Sequence, residues 1–263
     1  MSLTDWNAGT YHRVSNPQLG WGRKVLSRID LRGDETVVDA GCGSGRHTAE
    51  LLERLPRGRV VAVDASPAML EVAGRELARF GDRVQLLHSD LLDLDLDGVA
   101  DVVVSTATFH WVLDHPALFR RLLRALKPGG LLHAQCGGRG NIDRVRTRAR
   151  RILDTPAFRP SMAGFTPPWE YASPEATAER LRDAGFVAVE TGSEDALTVF
   201  DGEPEYREFL ATVIMRPYLA AIADDALGER LLDAMCAEAA GDVPPWSLDY
   251  VRLNMSARRP ALS

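Results

Sequence analysis

The feature that most constrains this chain is an alternation of two patterns. Short apolar, β-branched runs occur at TVVDA (36–40), RVVAVD (59–64), RVQLLH (83–88), DVVVS (101–105) and LLHAQC (131–136), with helical patterns over 46–55, 67–80 and 116–126 between them. In the last of these, Leu118, Leu122, Leu123 and Leu126 recur at helical spacing. Strands that are apolar along their whole length are covered on both faces. Alternated with helices, they predict an α/β fold with a doubly wound, mostly parallel sheet. The turn chemistry agrees. Ser66-Pro67 reads as an N-cap followed by Pro at the first helical position. Lys127-Pro128-Gly129-Gly130 offers Pro then Gly, the order of a type II turn. Gly185 follows a helix begun at Ser173-Pro174, as a C-terminal glycine does.

After Cys136 the rhythm changes. Residues 137–168 and 201–246 are longer, more helical and rich in Arg, Pro and Ala, with a strand pair expected around 187–199 between them and a last strand in DYVRLNMSARR (249–259). The expectation is a single domain over 1–263. Its core lies at about 30–136, 170–198 and 248–260, a helical cover at 1–29, and two cap inserts at 137–168 and 201–246, near the carboxyl ends of the strands, where open α/β sheets bind ligands. With 45% hydrophobic residues, 263 residues suffice to bury one such core. The balance of 31 basic against 37 acidic residues, net −6, does not recommend nucleic acid as a partner. Cys42, Cys136 and Cys236 are widely spaced and odd in number, which speaks for a reducing compartment and against a disulfide framework or cysteine-based zinc site. The N-terminus carries no apolar signal region and no run is long enough to span a bilayer, so the expectation is a cytoplasmic protein acting on a small molecule, without a membrane.

The stretch VDAGCGSG (38–45) leaves a strand and opens a helix, the context any glycine loop needs. It is not a phosphate cradle of the P-loop type, since Gly-Lys-Ser/Thr occurs nowhere. Nor is it the dinucleotide fingerprint: Gly41, Gly43 and Gly45 form GxGxG, and Arg46 stands where that fingerprint wants its third glycine. Asp39, just before the loop, would repel a pyrophosphate. Asp64 ends the second strand and suits ribose hydroxyls under either reading. Asp90, after the third strand, suits an exocyclic amine such as that of adenine.

Together these residues resemble the class I S-adenosylmethionine-dependent methyltransferases. The likeness is carried by VVDAGCGSG (37–45), VVAVDASPAML (60–70), HSDLLDL (88–94), VSTATFHWVLDH (104–115) and LKPGG (126–130), five blocks in order. DWNAGTY near the start and the phrase ending in His110-Trp111 bring it nearest to the trans-aconitate methyltransferase group, which methylates small carboxylic acids. The resemblance implies a Rossmann-like sheet of seven strands with a helical cap insertion, S-adenosyl-L-methionine as cofactor and no metal. It also implies roles. The glycines would admit the methionine moiety against bare backbone, Asp39 would tolerate its ammonium, and its carboxylate would meet the helix opening at Gly45. Asp64 would hold the ribose and Asp90 the adenine amine, with Leu91 beside the ring and Ala65 and Met69 flanking it. Tyr11, Gln18, Ser105 and Thr106 complete the expected cofactor surroundings. Thr106-Ala107 stands where the group tends to have Asn-Ala, and Gln18 where it tends to have Arg.

The leading acceptor is a carboxylate oxygen, with hydroxyl or carbon methylation of a natural product as the alternative and a non-catalytic binding protein as a remoter one. His110, at the end of the fourth strand, is the candidate base for a protonated acceptor. Trp111, Trp169 and Trp6 either line an acceptor pocket or fill core. In RGNIDRVRTRARR (139–151), Val145, Ala149 and Ile152 share one helical face and Arg144, Arg148 and Arg151 another. That second face is either solvated or a basic lid in which Arg144 contacts an acidic substrate. Met69 is either core or adenine contact. Cys42 reads as a small buried residue rather than a nucleophile, and His110 with His115 lacks a third ligand for a metal.

Overall fold

The computed structural model describes residues 16–262, with side chains from Gly20 onward. Two compact units result: of the described residues, one is built from those up to Arg139 with Trp169–Glu194 and those from Arg252 on, the other from Gly140–Pro168 and Asp195–Val251.

The first helix, α1 (Asn16–Ser27), precedes β1 (Thr36–Ala40), α2 (Arg46–Arg54), β2 (Arg59–Asp64), α3 (Pro67–Leu77), β3 (Val84–His88), β4 (Ala100–Thr106), α4 (His115–Ala125) and β5 (Leu126–Gly137). Beyond these lie α5 (Asp143–Leu153), α6 (Pro174–Asp183), β6 (Val187–Val199), α7 (Glu203–Phe209), α8 (Arg216–Ile222), α9 (Asp225–Ala239) and β7 (Ser247–Arg258). The seven strands form one sheet in the order β3-β2-β1-β4-β5-β7-β6. β1 pairs in parallel with β2 and β4, β2 with β3 and β4 with β5, while β7 runs antiparallel to β5. The order reverses direction at β1, so the crevice beyond the carboxyl ends of β1 and β4 is the switch point where doubly wound sheets take ligands.

The period of two along the strands sorts the core into two layers. Val37, Val60, Val102 and Val104 pack with Val25, Leu26, Leu51, Leu52 and Leu77 of α1, α2 and α3. Val38, Ala40, Val61, Val63 and Val103 pack with Phe109, Leu118, Phe119, Leu122 and Leu181 on the opposite face. The continuous apolar runs are therefore buried on both sides, which is the reason for their lack of alternation.

The turn readings hold in detail. Ser66 Oγ accepts the Met69 N–H at 3.3 Å ahead of Pro67, and Ser173 caps α6 through the Ala176 N–H at 3.2 Å. Gly185 lies at φ +102° just past α6. The Pro128-Gly129 turn, with Gly129 at φ +78°, sits inside β5 as a bulge: Ala100 pairs with Leu126 and Val102 already with Leu131. Strand β5 thus begins earlier than its apolar run. The helix expected over 67–80 ends at Leu77 and tightens into a 3₁₀ turn (Ala78–Arg83), where Gly81 takes φ +59°.

One expectation fails. The segment 187–199 is a single thirteen-residue strand, not a pair. Its central Gly192 is not among the positive-φ glycines, so the backbone makes no tight hairpin there.

In the second unit, Val145, Ala149 and Ile152 of α5 are buried as its apolar face requires. The arginine face is paired with acids rather than bare, and its burial is graded: Arg148 is buried, Arg144 half-buried and Arg151 exposed. Arg148 is 9% exposed and bonds Asp242 at 2.7 Å and Glu238 at 3.3 Å. Arg151 pairs with Glu238, and Arg144 with Asp249 at 3.6 Å and Ser247 Oγ at 2.9 Å. A helical wheel cannot distinguish this from a solvated face, because the acids that meet these arginines come from the start of β7, the loop before it and the end of α9.

Candidate active site

The glycine loop is fixed from two sides. The Gly41 and Cys42 N–H groups donate to Val63 O at 2.8 and 2.9 Å, and Gly43 N–H donates to Asp64 Oδ2 at 2.8 Å. The loop after β1 is thereby tied to the end of β2. Gly41, Gly43 and Gly45 take φ of +86°, +54° and +83°, a region that side chains with a Cβ avoid. The three glycines differ in what surrounds them. A Cβ on Gly41 would strike Thr108 and one on Gly45 would press on Ala73, whereas the position over Gly43 is open. A ligand can therefore approach the backbone at Gly43. Gly45 is the N-cap of α2 and supplies no side-chain acceptor to the first turn of that helix.

Asp39 is buried on the α2 side of β1 and accepts the Thr48 hydroxyl at 2.7 Å. Burial, with the neighbouring charge of Asp64, pushes its carboxyl up to about 6 against the opposing Thr48 bond. Asp64 is also raised by burial, although its oxygens accept the Ser66 and Gly43 amides, both at 2.8 Å. Two carboxylates desolvated side by side form a site that favours a cation. Cys42 is buried and its thiol is held well above the ordinary range by burial and by these same two acids, so it is no nucleophile.

The remaining expected cofactor residues are placed unevenly. Ala65 follows Asp64, with its carbonyl 3.2 Å from His88 Nε2. Met69 is buried at 3% exposure. Asp90 is exposed and its Oδ1 accepts the Leu92 N–H at 2.8 Å, which shapes the turn after β3, while the Leu91 side chain belongs to the core. Ser105 is 1% exposed and its hydroxyl is spent on Ala40 O at 2.6 Å, so it pins β4 to β1 rather than offering a free hydroxyl. Thr106 ends β4 and its carbonyl accepts the Thr108 hydroxyl at 3.1 Å. Tyr11 and Trp6 lie outside the described residues, and Gln18 lies in α1 with its side chain outside them.

Beyond β4 the chain turns at Ala107 (φ +56°) into a 3₁₀ turn, Phe109–Trp111. Here the structure assembles an aromatic cluster from two separate segments. His110 stacks on Tyr171 at 5.7 Å and lies 5.5 Å from Trp111, Trp111 meets Trp169 edge-on at 5.7 Å, and Trp169 stacks on Tyr171 at 6.0 Å. His110, Trp111 and Trp169 are thus brought together in one cluster of rings. Tyr171 joins them without having been foreseen, since a lone tyrosine in a loop carries no pattern. Arg144 belongs to the other unit, where Ser247 and Asp249 take up its guanidinium.

His110 is buried, and its Nδ1 accepts the Gly137 N–H at 3.3 Å. Burial, Arg252 and His115 together hold the imidazole well below its ordinary value, so it is neutral. With Nδ1 as acceptor, the proton of the neutral ring sits on Nε2, an assignment that follows from that hydrogen bond. His115 is a separate matter: its ring nitrogens are engaged by Phe109 O and Arg180 Nη1, both at 3.0 Å, and its side chain belongs to the core.

Comparison with known proteins agrees with this geometry. A family model described as a methyltransferase domain matches residues 37–130, from β1 to the bulge of β5. The trans-aconitate 2-methyltransferase of Deinococcus radiodurans is 31% identical over 98% of this chain and 99% of its own. That of an Azoarcus species is 32% identical over 85% of each chain. Among solved structures, phosphoethanolamine N-methyltransferase 2 of Haemonchus contortus, in complex with S-adenosyl-L-methionine, superposes with a TM-score of 0.63 at 18% identity, covering 96% of this chain and 56% of that one. The [4+2]-cyclase SpnF does so at 0.60 and 19%, covering 92% and 82%, a reminder that the fold alone does not fix the reaction. The chain belongs to the class I S-adenosylmethionine-dependent methyltransferases, resembles their trans-aconitate 2-methyltransferase group, and uses S-adenosyl-L-methionine as its cofactor.

Proposed function

We propose that this enzyme transfers the methyl group to a carboxylate oxygen of a small organic acid, and that it does so in the cytoplasm, where its free cysteines stay reduced. The observation that carries the reading is the His110 hydrogen bond from Gly137. A neutral imidazole whose Nδ1 is occupied and whose Nε2 bears hydrogen is a donor, not a base. It suits an acceptor that arrives without a proton, as a carboxylate does at neutral pH, and not a phenol or acidic carbon that must lose one. The sulfonium of the cofactor supplies an activated methyl group. The protein holds the acceptor oxygen in line with it and excludes water, and joining a cation and an anion into neutral products is favoured in such a dry site. Trans-aconitate, the acid in the relatives' names, is the first acceptor to assay.

The test is His110→Ala with that acid. Loss of one N–H donated to a charged oxygen should raise KM by roughly 10- to 100-fold. Turnover should stay within a small factor, with no limb in its pH profile near the reference imidazole value of about 6.5. A fall in turnover on the order of a hundredfold, with loss of such a limb, would instead establish base catalysis and reject the carboxylate reading.

The same reading places the cofactor's ammonium near Asp39. A cation there stabilises the ionised carboxyl, so the bound value lies below the free value of about 6. Above that pH the carboxyl is already ionised and affinity should be flat. As pH falls below it, binding must first release a proton, and S-adenosylhomocysteine affinity should drop by up to about tenfold per pH unit. Calorimetric titration at several pH values reads this directly. Asp39→Asn should flatten the dependence, leaving only what Asp64 contributes; an identical slope in both proteins would remove Asp39 from the ammonium site.

A further inference from the structure

We infer that Arg180 is a positioning residue for the acceptor side: its guanidinium holds both chain segments of the ring cluster and thereby sets His110. The inference deepens the proposed function and rests on its reading of His110 as the donor to the acceptor. The two segments, Phe109–Trp111 and Trp169–Tyr171, are far apart in sequence. One backbone bond joins them, from the Glu170 N–H to His110 O at 2.9 Å. Just beyond, the Arg139 N–H donates to Ala172 O at 2.9 Å. The second segment lies in no helix or strand, so no ladder sets the tilt of its rings.

Arg180 stands on α6, which Ser173 caps directly after that segment and which buries Thr177, Ala178 and Leu181. From this fixed helix the guanidinium reaches two ways. Nη1 and Nη2 both donate to Glu170 Oε1 at 3.0 Å, and Nη1 also donates to His115 Nδ1 at 3.0 Å. A guanidinium cannot accept, so Nδ1 is the acceptor and the His115 proton sits on Nε2, which donates to Phe109 O at 3.0 Å. Burial, with the Arg180 charge acting in the same direction, holds His115 below its ordinary value against the Phe109 bond, as this neutral tautomer requires. Arg180 thus reaches the residue before His110 through His115. Through Glu170 it reaches the residue between Trp169 and Tyr171.

Global stability does not account for this arrangement. The Arg180 and Glu170 side chains are 30% and 35% exposed, and pairs so open to water contribute little to folding. The effect is local. His115 is fully buried, and a buried ring nitrogen needs the donor that Arg180 supplies. A rigid planar fork serves both partners at once, whereas a lysine ammonium on a flexible stem does not fix two directions. The stacking of His110 on Tyr171 and the edge contact of Trp111 with Trp169 both require the two segments to stay in register. So does the placement of the His110 Nε2 proton, since a donor displaced by about 1 Å no longer meets its acceptor oxygen.

The experiment compares Arg180→Ala and Arg180→Lys in the full chain, first by amide hydrogen exchange with S-adenosylhomocysteine bound. Exchange at Glu170 and Gly137, whose amides hold His110, should speed up by about tenfold or more in Arg180→Ala and by less in Arg180→Lys. Exchange at Gly41 and Cys42, in the glycine loop, should not change. A merely structural role would speed all four together, and that result overturns the inference, as does unchanged exchange at Glu170 and Gly137. With trans-aconitate as acceptor, Arg180→Ala should raise KM by about tenfold, with kcat changed far less and S-adenosylhomocysteine affinity within about twofold of wild type. In a His110→Ala background the same substitution should raise KM by less than about twofold, because the donor it positions is gone. The full factor in that background would show that Arg180 does not act through His110 and overturns the inference. Should His110→Ala reveal base catalysis, the carboxylate reading falls while the exchange result still establishes the clamp. If trans-aconitate and other small acids are not methylated, the exchange result alone decides Arg180.

Discussion

Asp64→Ala should weaken S-adenosylmethionine binding by roughly 100- to 10,000-fold, on the proposal that its carboxylate accepts two charge-assisted bonds from ribose hydroxyls at about 1.5–3 kcal/mol each. The structure adds a second reason for a large effect. The same carboxylate receives the Gly43 and Ser66 amides, both at 2.8 Å, so it also holds the glycine loop and the N-terminal turn of α3 in place. Asp64→Asn separates the two contributions. Its amide oxygen can keep one backbone bond while the charge is lost, so its affinity should lie between those of wild type and Asp64→Ala. Calorimetric titration with S-adenosylhomocysteine gives the numbers, and the thermal midpoint of each free protein reports loop integrity separately. Unchanged affinity in Asp64→Ala would sink its assignment as the ribose ligand.

Arg148→Ala should destabilise the unit built from Gly140–Pro168 and Asp195–Val251 by about 3–5 kcal/mol, the range for breaking a buried ion pair from one side. Arg148 and Asp242 are 9% and 12% exposed in their side chains and 2.7 Å apart, far from the exposed pairs whose removal costs little. The cost comes mostly from what is left behind: an ionised Asp242 with its main counter-charge gone. Arg148→Met combined with Asp242→Leu should therefore be markedly less destabilised than Arg148→Ala alone, because no unpaired charge remains. Urea unfolding followed by a probe in this unit measures both variants. A loss below about 1 kcal/mol in Arg148→Ala would show that the pair behaves as a solvated one.

These predictions divide along the line between what the sequence by itself determined and what only the tertiary structure decided. The alternating apolar runs, the Ser66-Pro67 and Ser173-Pro174 caps, the Pro128-Gly129 turn and the GxGxG loop were all legible, because each depends on neighbours within one helical turn or one strand. A period of two or 3.6, a fixed proline φ and a glycine at positive φ are local properties. Together they were enough for the fold class, and the resemblance of five ordered blocks to a known family added the cofactor class. The strand pair expected at 187–199 shows the limit even there, since Gly192 permits a turn without requiring one. The chemistry of the acceptor side was not legible. His110 takes its tautomer from an amide 27 positions away, Arg148 a partner from 94 away and Arg252 a side-chain acceptor from 117 away. An arginine at alternate spacing in a strand reads as a solvent-facing residue, and an arginine face on a helix reads as a solvated one. Whether such a charge is buried, paired or aimed at a ligand is set by segments that meet only on folding, where desolvation and the identity of the distant partner decide its state.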